Sequence, residues 1–448
     1  MAENAAEIRG ERGSVDSFDE RSRAEIGSRM HSWATDLFPI CRSLTGAGVR
    51  DTLAYLKKLL PDLDRRSMPS GTPVFDWTIP DEWNIRDAYL EHEDGTRIVD
   101  FANSNLHVVG YSQPMDGWFE LEQLADHLYS LPQQPHAIPY VTSYYRKHWG
   151  FCLTHEKRSS MKKGRYHAVI DATLAPGVLN YGELILPGAR MEEILLSTYI
   201  CHPSMANNEL SGPVVAAALA QWLNAKADRQ FTYRIVFIPE TIGAIAYLSQ
   251  NLEQMRANTV AGFVLTCMGD ERAYSFLASR LDGTLADRAA RHVLKHHAPN
   301  YNSYTYLDRG SDERQYCAPG IDLPVCSIMR SMYGTYPEYH TSLDDLKLVT
   351  SKGLAGAYEA LSLCLTTLEQ NRNYRATVLG EPQLSKRNLY PTVSRTGDYA
   401  DETRMLKDIL AYSDGNHDLI ALAERLNRPA GVVARSCERL HAAGLLTY

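Results

Sequence analysis

The strongest constraint on this chain is a run of continuous apolar segments that alternates with helical ones beyond residue 193. Segments 194–200, 233–238, 261–268 and 325–329 read as buried strands. Segments 213–223, 242–254, 287–296 and 353–369 read as helices. A strand that is apolar at every residue, rather than at every second one, is covered on both faces. Strands of that kind separated by helices predict a central sheet sandwiched between helical layers. Ligands of such sheets bind beyond the carboxyl ends of the strands, so those ends are where chemistry is sought.

The flanking regions differ in texture. Between residues 24 and 60 the apolar residues Trp33, Leu37, Phe38, Leu53, Leu56 and Leu60 recur near the helical period, with a polar turn at Cys41-Arg42-Ser43-Leu44-Thr45-Gly46. From 72 to 188, short alternating stretches at 74–77, 87–90, 97–101, 106–111, 166–170 and 180–186 are broken by Pro, Gly and Asp-Gly pairs, which predicts an inserted, mainly β domain. Its many aromatics read as core, with Tyr144-Tyr145 beside Arg146 as candidates for a pocket wall. From about 399, helices at 405–412, 417–426 and 430–443, a tight Asn427-Arg428-Pro429 turn and a terminal Gly444-Leu445-Leu446 form a winged-helix pattern. The resulting division is a flexible tail over 1–22, an α/β domain over 23–71 and 189–380, the β insert over 72–188 and the winged helix over 385–448.

Charge and composition exclude several functions. Lys and Arg number 46 against 54 Asp and Glu, a net charge of −8, whereas phosphate binding requires a basic excess. The acids of the winged helix nearly cancel its bases, so packing or self-association into a homo-oligomer is expected there rather than nucleic-acid binding. The longest apolar runs fall far short of the roughly 20 residues of a membrane helix. An acid-rich N-terminus without an apolar core predicts no export signal and a cytoplasmic location. The eight cysteines contain no CxxC pair and read as reduced, buried thiols.

The strand ends carry the informative residues. His202 follows the first strand, with Asn207-Asn208-Glu209-Leu210-Ser211-Gly212 opening the next helix. Glu240 follows the second strand in Pro-Glu-Thr-Ile-Gly. Ser311-Asp312-Glu313 precedes the fourth, and Tyr339-His340-Thr341-Ser342-Leu343-Asp344 follows it. Imidazoles and carboxylates are the usual zinc ligands, and a free carboxylate beside a metal-activated water is the usual base. His202 and His340 are the candidate ligands and Glu240 the candidate base; Glu209, Asp312 and Glu313 are further carboxylates of the same cluster.

These segments, in this order, resemble the zinc aminopeptidase superfamily of the bacterial leucine aminopeptidase type. Nearly the whole chain resembles an aminopeptidase-like branch with an inserted β domain and a C-terminal winged helix, often associated with polysaccharide or natural-product biosynthesis. Cys201-His202-Pro203-Ser204-Met205-Ala206, Arg309-Gly310-Ser311-Asp312-Glu313-Arg314 and Phe38-Pro39-Ile40-Cys41-Arg42-Ser43 carry that likeness. The resemblance implies a three-layer α/β/α zinc-peptidase-like domain. It also implies metal-dependent cleavage of an amide in a small aminoacyl or peptide-like metabolite. Glu240 would be the base, Asp312 would act through hydrogen bonds, and Glu313 stands where many members carry His. Asn208 replaces the acid that bridges two zincs, Thr241 replaces a metal-binding Glu, and Thr266-Cys267-Met268-Gly269 lacks the expected Asp. The expectation is therefore one zinc, held by His202, His340 and the Asn208 position, with Arg42, Tyr144, Tyr145, Arg330 and Tyr339 as substrate contacts. A single-metal acyl or aminoacyl transferase or cyclase, and a non-catalytic binding or scaffold protein, are the alternative readings.

Overall fold

The computed structural model describes residues 19–389 and 398–448; most of the expected tail lies outside them. Contacts divide the chain into two units, one of 23–287 with 302–358, the other of 288–301 with 359–448.

The first unit is built on an eight-stranded mixed sheet. Its order is Asp64–Pro69, Val178–Leu186, Thr232–Ile238, Glu193–Tyr199, Thr259–Val264, Val325–Met329, Ser275–Leu277, Asn302–Tyr304. The pairs among Thr232–Ile238, Glu193–Tyr199, Thr259–Val264 and Val325–Met329 are parallel, as the continuous apolar pattern requires. Every residue of Glu193–Tyr199 is buried. The third of these strands stops at Val264, short of the expected 268, because the chain turns at Cys267, whose φ is +52°.

Three charged residues are buried in this sheet, and pairing accounts for them. The Arg234 guanidinium reaches Glu193 through Nε and Nη2 at 2.7 and 2.8 Å and Glu183 through Nη1 at 2.9 Å. All three side chains are buried.

Within the insert, Arg97–Asp100, Glu82–His92, Arg165–Ala175 and Met115–Glu120 form an antiparallel sheet in that order. The stretch 106–111 is not a strand. Leu106 to Val109 are all buried, and Val108 makes one isolated bridge to Phe151, so burial is continuous without a ladder. Val178–Leu186, whose alternation reads as part of the insert, pairs instead with both Asp64–Pro69 and Thr232–Ile238 in the large sheet.

In the second unit, helices Asp398–Tyr412, Leu419–Leu426 and Ala430–Ala442 pack with a small sheet of Asp414–Asp418, Asn373–Ala376 and Leu446–Thr447. Asp418 caps the second helix by accepting the Ala421 N–H, and Asn427 ends it in the left-handed region at φ +50°. The chain reaches this sheet earlier than the sequence division suggests, since Asn373–Ala376 is its central strand. Ala430, at the start of the third helix, donates its N–H to His292 Nε2 at 2.9 Å. All eight cysteines are free, seven of them buried. No described helix is long and apolar enough to cross a membrane.

Candidate active site

Four segments far apart in sequence meet at the carboxyl edge of the large sheet, and Asp344 joins two of them. Its carboxylate accepts the Asn207 and Asn208 N–H groups at 2.5 and 2.9 Å, and its carbonyl accepts that of Ala206. These bonds hold a π-helical turn, Ala206–Leu210, at the mouth of helix Ser211–Asn224. Backbone strain collects in the same place: Ser204, Thr241, Cys267 and His340 all have positive φ. Thr241, at φ +64° and ψ −78°, is β-branched, which makes that conformation costly.

His202 and His340, 138 positions apart, lie with ring centroids 5.4 Å apart, and the Tyr140 ring is 5.2 Å from each. Glu209 Oε2 sits 2.7 Å from His202 Nδ1 and fixes which nitrogen carries the proton. His202 Nε2 therefore faces Glu240 Oε2, at 3.6 Å. Arg42 completes this support from behind. It is fully buried, donates to the His202 carbonyl at 2.9 Å and stands 3.6 Å from Glu209.

The electrostatics follow from burial. Burial works against a charge on His202, but the bond to Glu209 and the charges of Glu209 and Glu240 prevail and raise its pKa above the ordinary value. His340 goes the other way, to about 3, through burial and the nearby His202 charge. Burial raises Glu240, opposed by His202 and Arg314. Asp312 is raised well above a normal carboxyl by burial and then by the Glu240 charge, while its Oδ1 accepts the Thr241 N–H at 2.7 Å. Burial thus favours the protonated form of both carboxyls, more strongly for Asp312.

A cavity of about 320 Å³ opens on this group. Glu240, His202 and His340 line it together with Arg314 and the insert aromatics Trp77, Tyr140, Tyr144 and Tyr145. Tyr144 and Tyr145 are thus placed at the pocket. Arg330 and Tyr339 lie outside its lining: Arg330 is buried, its Nε donating to the Asp270 carbonyl with its guanidinium over Tyr274, and Tyr339 stacks on His340 at 3.9 Å. Arg42 also lies outside it. Glu313 spends Oε1 on the Gly310 and Ser311 N–H groups and the Tyr333 hydroxyl. Sequence reasoning passed over Arg314, Trp77 and Tyr140. Arg314 directly follows the Ser-Asp-Glu motif; the two aromatics read as ordinary β core.

His202, His340 and Asn208 carry the donors that could hold one metal ion. His340 Nε2 and Asn208 Oδ1 are buried atoms with no hydrogen-bond partner, and a neutral His340 keeps a lone pair to give. A second ion finds no acid at Asn208 or Thr241. Cys201, His202 and Glu209 also crowd together, but Glu209 is committed to Nδ1 and the adjoining Arg42 cation repels another.

A larger cavity, about 490 Å³, lies in the second unit between Arg288, His292, Lys295 and Glu424. Its charges are satisfied: Arg288 by Asp418, His292 and Lys295 by Glu424. His292, His296 and Glu424 are close enough for a metal, yet both His292 nitrogens are spent, Nδ1 on Glu424 and Nε2 on Ala430.

Comparison with known proteins agrees with this architecture. A relative from Clostridium acetobutylicum, named for polysaccharide biosynthesis and an aminopeptidase-like domain, is 39% identical over 427 residues, covering 95% of this chain and 98% of its own length. A crystal structure from the same organism, provisionally named a peptidase, superposes with TM-score 0.89 at 39% identity, covering 95% of this chain and 97% of that one. A zinc aminopeptidase from Bacillus subtilis shares the fold at 13% identity and TM-score 0.55, covering 76% of this chain and 94% of that one. Residues 372–448 match a winged helix-turn-helix model. Residues 31–371 match the model of a domain of unknown function, DUF4910, and the chain belongs to that family.

Proposed function

We propose that the pocket is the active site of a one-metal amide hydrolase acting on a small aminoacyl or peptide-like metabolite. The observation that carries this reading is that His202, Glu240 and His340 line one cavity, with His202 Nε2 facing Glu240 and His340 Nε2 unpartnered. His202, His340 and the Asn208 oxygen would hold the ion, and zinc bound there supplies Lewis acidity toward a scissile carbonyl. Glu240 takes the proton of the attacking water and later returns it to the leaving amine. Protonated Asp312 keeps a second negative charge away from Glu240, and Glu209 with Arg42 keeps the His202 ring in place. The aromatics of the insert limit the substrate to something near the cavity volume, which excludes a folded protein. The name of the Clostridium relative favours an amide within polysaccharide-precursor chemistry.

Zinc titration of the purified protein tests the metal assignment. Glu209→Gln is expected to weaken zinc by about 10- to 100-fold, because the group that orients the liganding imidazole loses its charge. Asn208→Asp is expected to bind zinc more tightly than the wild type. If the wild type and both variants carry no metal, and added zinc changes neither stability nor activity, a binding role replaces the hydrolase.

The winged helix is proposed to serve packing rather than DNA reading. The first turn of its third helix, which would enter a major groove, has its Ala430 N–H capped by His292, and exposed Arg439 is paired with Glu402. Binding of the full chain to duplex DNA at physiological salt is expected to be negligible. Sub-micromolar, steeply salt-dependent binding in a filter or anisotropy assay would contradict this.

A further inference from the structure

We infer that the pocket recognises a carboxylate on its ligand, and that Arg314 is the residue that binds it. This rests on the pocket being a substrate site, as proposed above, and names the substrate class: an amide that already carries a free carboxylate besides the bond to be cleaved.

Arg314 lines the cavity beside Glu240 and Thr241. Its guanidinium is held by one bond, Nη2 to Thr241 Oγ1 at 2.5 Å, and its Nε is a buried donor with no acceptor. Among the described residues it makes no ion pair. Of the buried arginines, Arg42 has Glu209, Arg234 has Glu193 and Glu183, and Arg330 has the Asp270 carbonyl and the Tyr274 ring.

The acids nearest Arg314 in sequence are already committed. Asp312 accepts from the Thr241 N–H, and Glu313 accepts from Gly310, Ser311 and Tyr333. Glu240 faces His202. The charges of Glu240 and Asp312 reach Arg314 without forming an ion pair, so its Nε donor is left for an anion that a ligand brings. The strained Thr241 backbone places both its N–H and its hydroxyl to fix this corner, one on Asp312 and one on Arg314. A guanidinium so held presents N–H groups in a plane, which matches the two oxygens of a carboxylate.

Direct binding tests the inference without any need for turnover. Full-length protein is titrated calorimetrically with N-acetylglycine, N-acetyl-phenylalanine, their matched amides and inorganic phosphate. The acids are expected to bind at least about tenfold more tightly than their amides. That preference is expected to vanish in Arg314→Gln and to survive in part in Arg314→Lys. Thr241→Val, which removes the hydroxyl that fixes the guanidinium, provides an independent reduction should Arg314→Gln not fold.

Equal binding of acid and amide overturns the inference, as does no detectable binding of either, or an acid preference that persists in folded Arg314→Gln. Phosphate binding as tight as the acids and lost with Arg314 overturns the carboxylate assignment. An acid preference in a protein that hydrolyses nothing leaves this inference standing and removes the hydrolase reading. Hydrolysis without acid preference does the reverse.

Discussion

Glu240→Gln is expected to lower amide hydrolysis by about 100- to 10,000-fold, the usual worth of a positioned base. The substitution keeps shape and hydrogen bonding but cannot accept a proton. Zinc content and thermal midpoint are expected to stay near wild type, because His202 and His340 remain. Activity assays and metal analysis on one preparation separate the alternatives. A variant that retains activity removes Glu240 from the base role. A variant that loses its metal makes Glu240 a ligand, which its 3.6 Å separation from His202 Nε2 also permits.

The second large effect is on stability. Arg234→Met is expected to destabilise the first unit by about 3–5 kcal/mol in chemical denaturation. Methionine fills much of the volume but leaves Glu193 and Glu183 buried inside the sheet without their cation. Arg66 Nη2, 2.8 Å from Glu183 Oε2, still serves that acid, so Glu193 bears most of the loss. Adding Glu193→Gln to Arg234→Met is expected to recover part of the stability. A denaturation midpoint unchanged by Arg234→Met would show that solvent reaches these acids in the folded state.

How much of this was legible in the sequence depends on distance along the chain. The buried strands were readable because apolar continuity is a local property, and Glu193–Tyr199 and Thr232–Ile238 fall within a residue of the expected limits. His202 and Glu240 were readable because they stand close behind Tyr199 and Ile238, the ends of two such strands, whereas His340 lies further along the loop after Met329. The role of Arg42 was not, since its partners are the His202 carbonyl and Glu209, which only folding brings near. Arg330 and Tyr339 read as pocket residues from type and neighbourhood, but a side chain next to a motif has two faces to choose from. Arg330 turns toward Tyr274, and Tyr339 lies flat on His340. Trp77 and Tyr140 carry no mark that separates a pocket wall from a β core. Val178–Leu186 was misplaced for a related reason: its pairing with Thr232–Ile238 depends on a partner some fifty positions away.

The backbone around Tyr140 bears on how the protein can evolve. The Tyr140 N–H bonds to the His340 carbonyl at 2.9 Å, the Ser342 N–H to the Ile138 carbonyl at 2.8 Å, and Pro139 bridges Thr341. The insert is therefore sewn to the very loop that holds His340 at φ +57°. An appended lid could be shortened, swapped or deleted while the chemistry beneath it persisted. Here the accessory module and the histidine form one inherited part, so trimming the insert to admit larger molecules would dismantle the site it covers. Selection for new substrates is left with the side chains at the rim, such as Trp77 and Tyr145, whose rings meet at 5.5 Å and remain open to solvent.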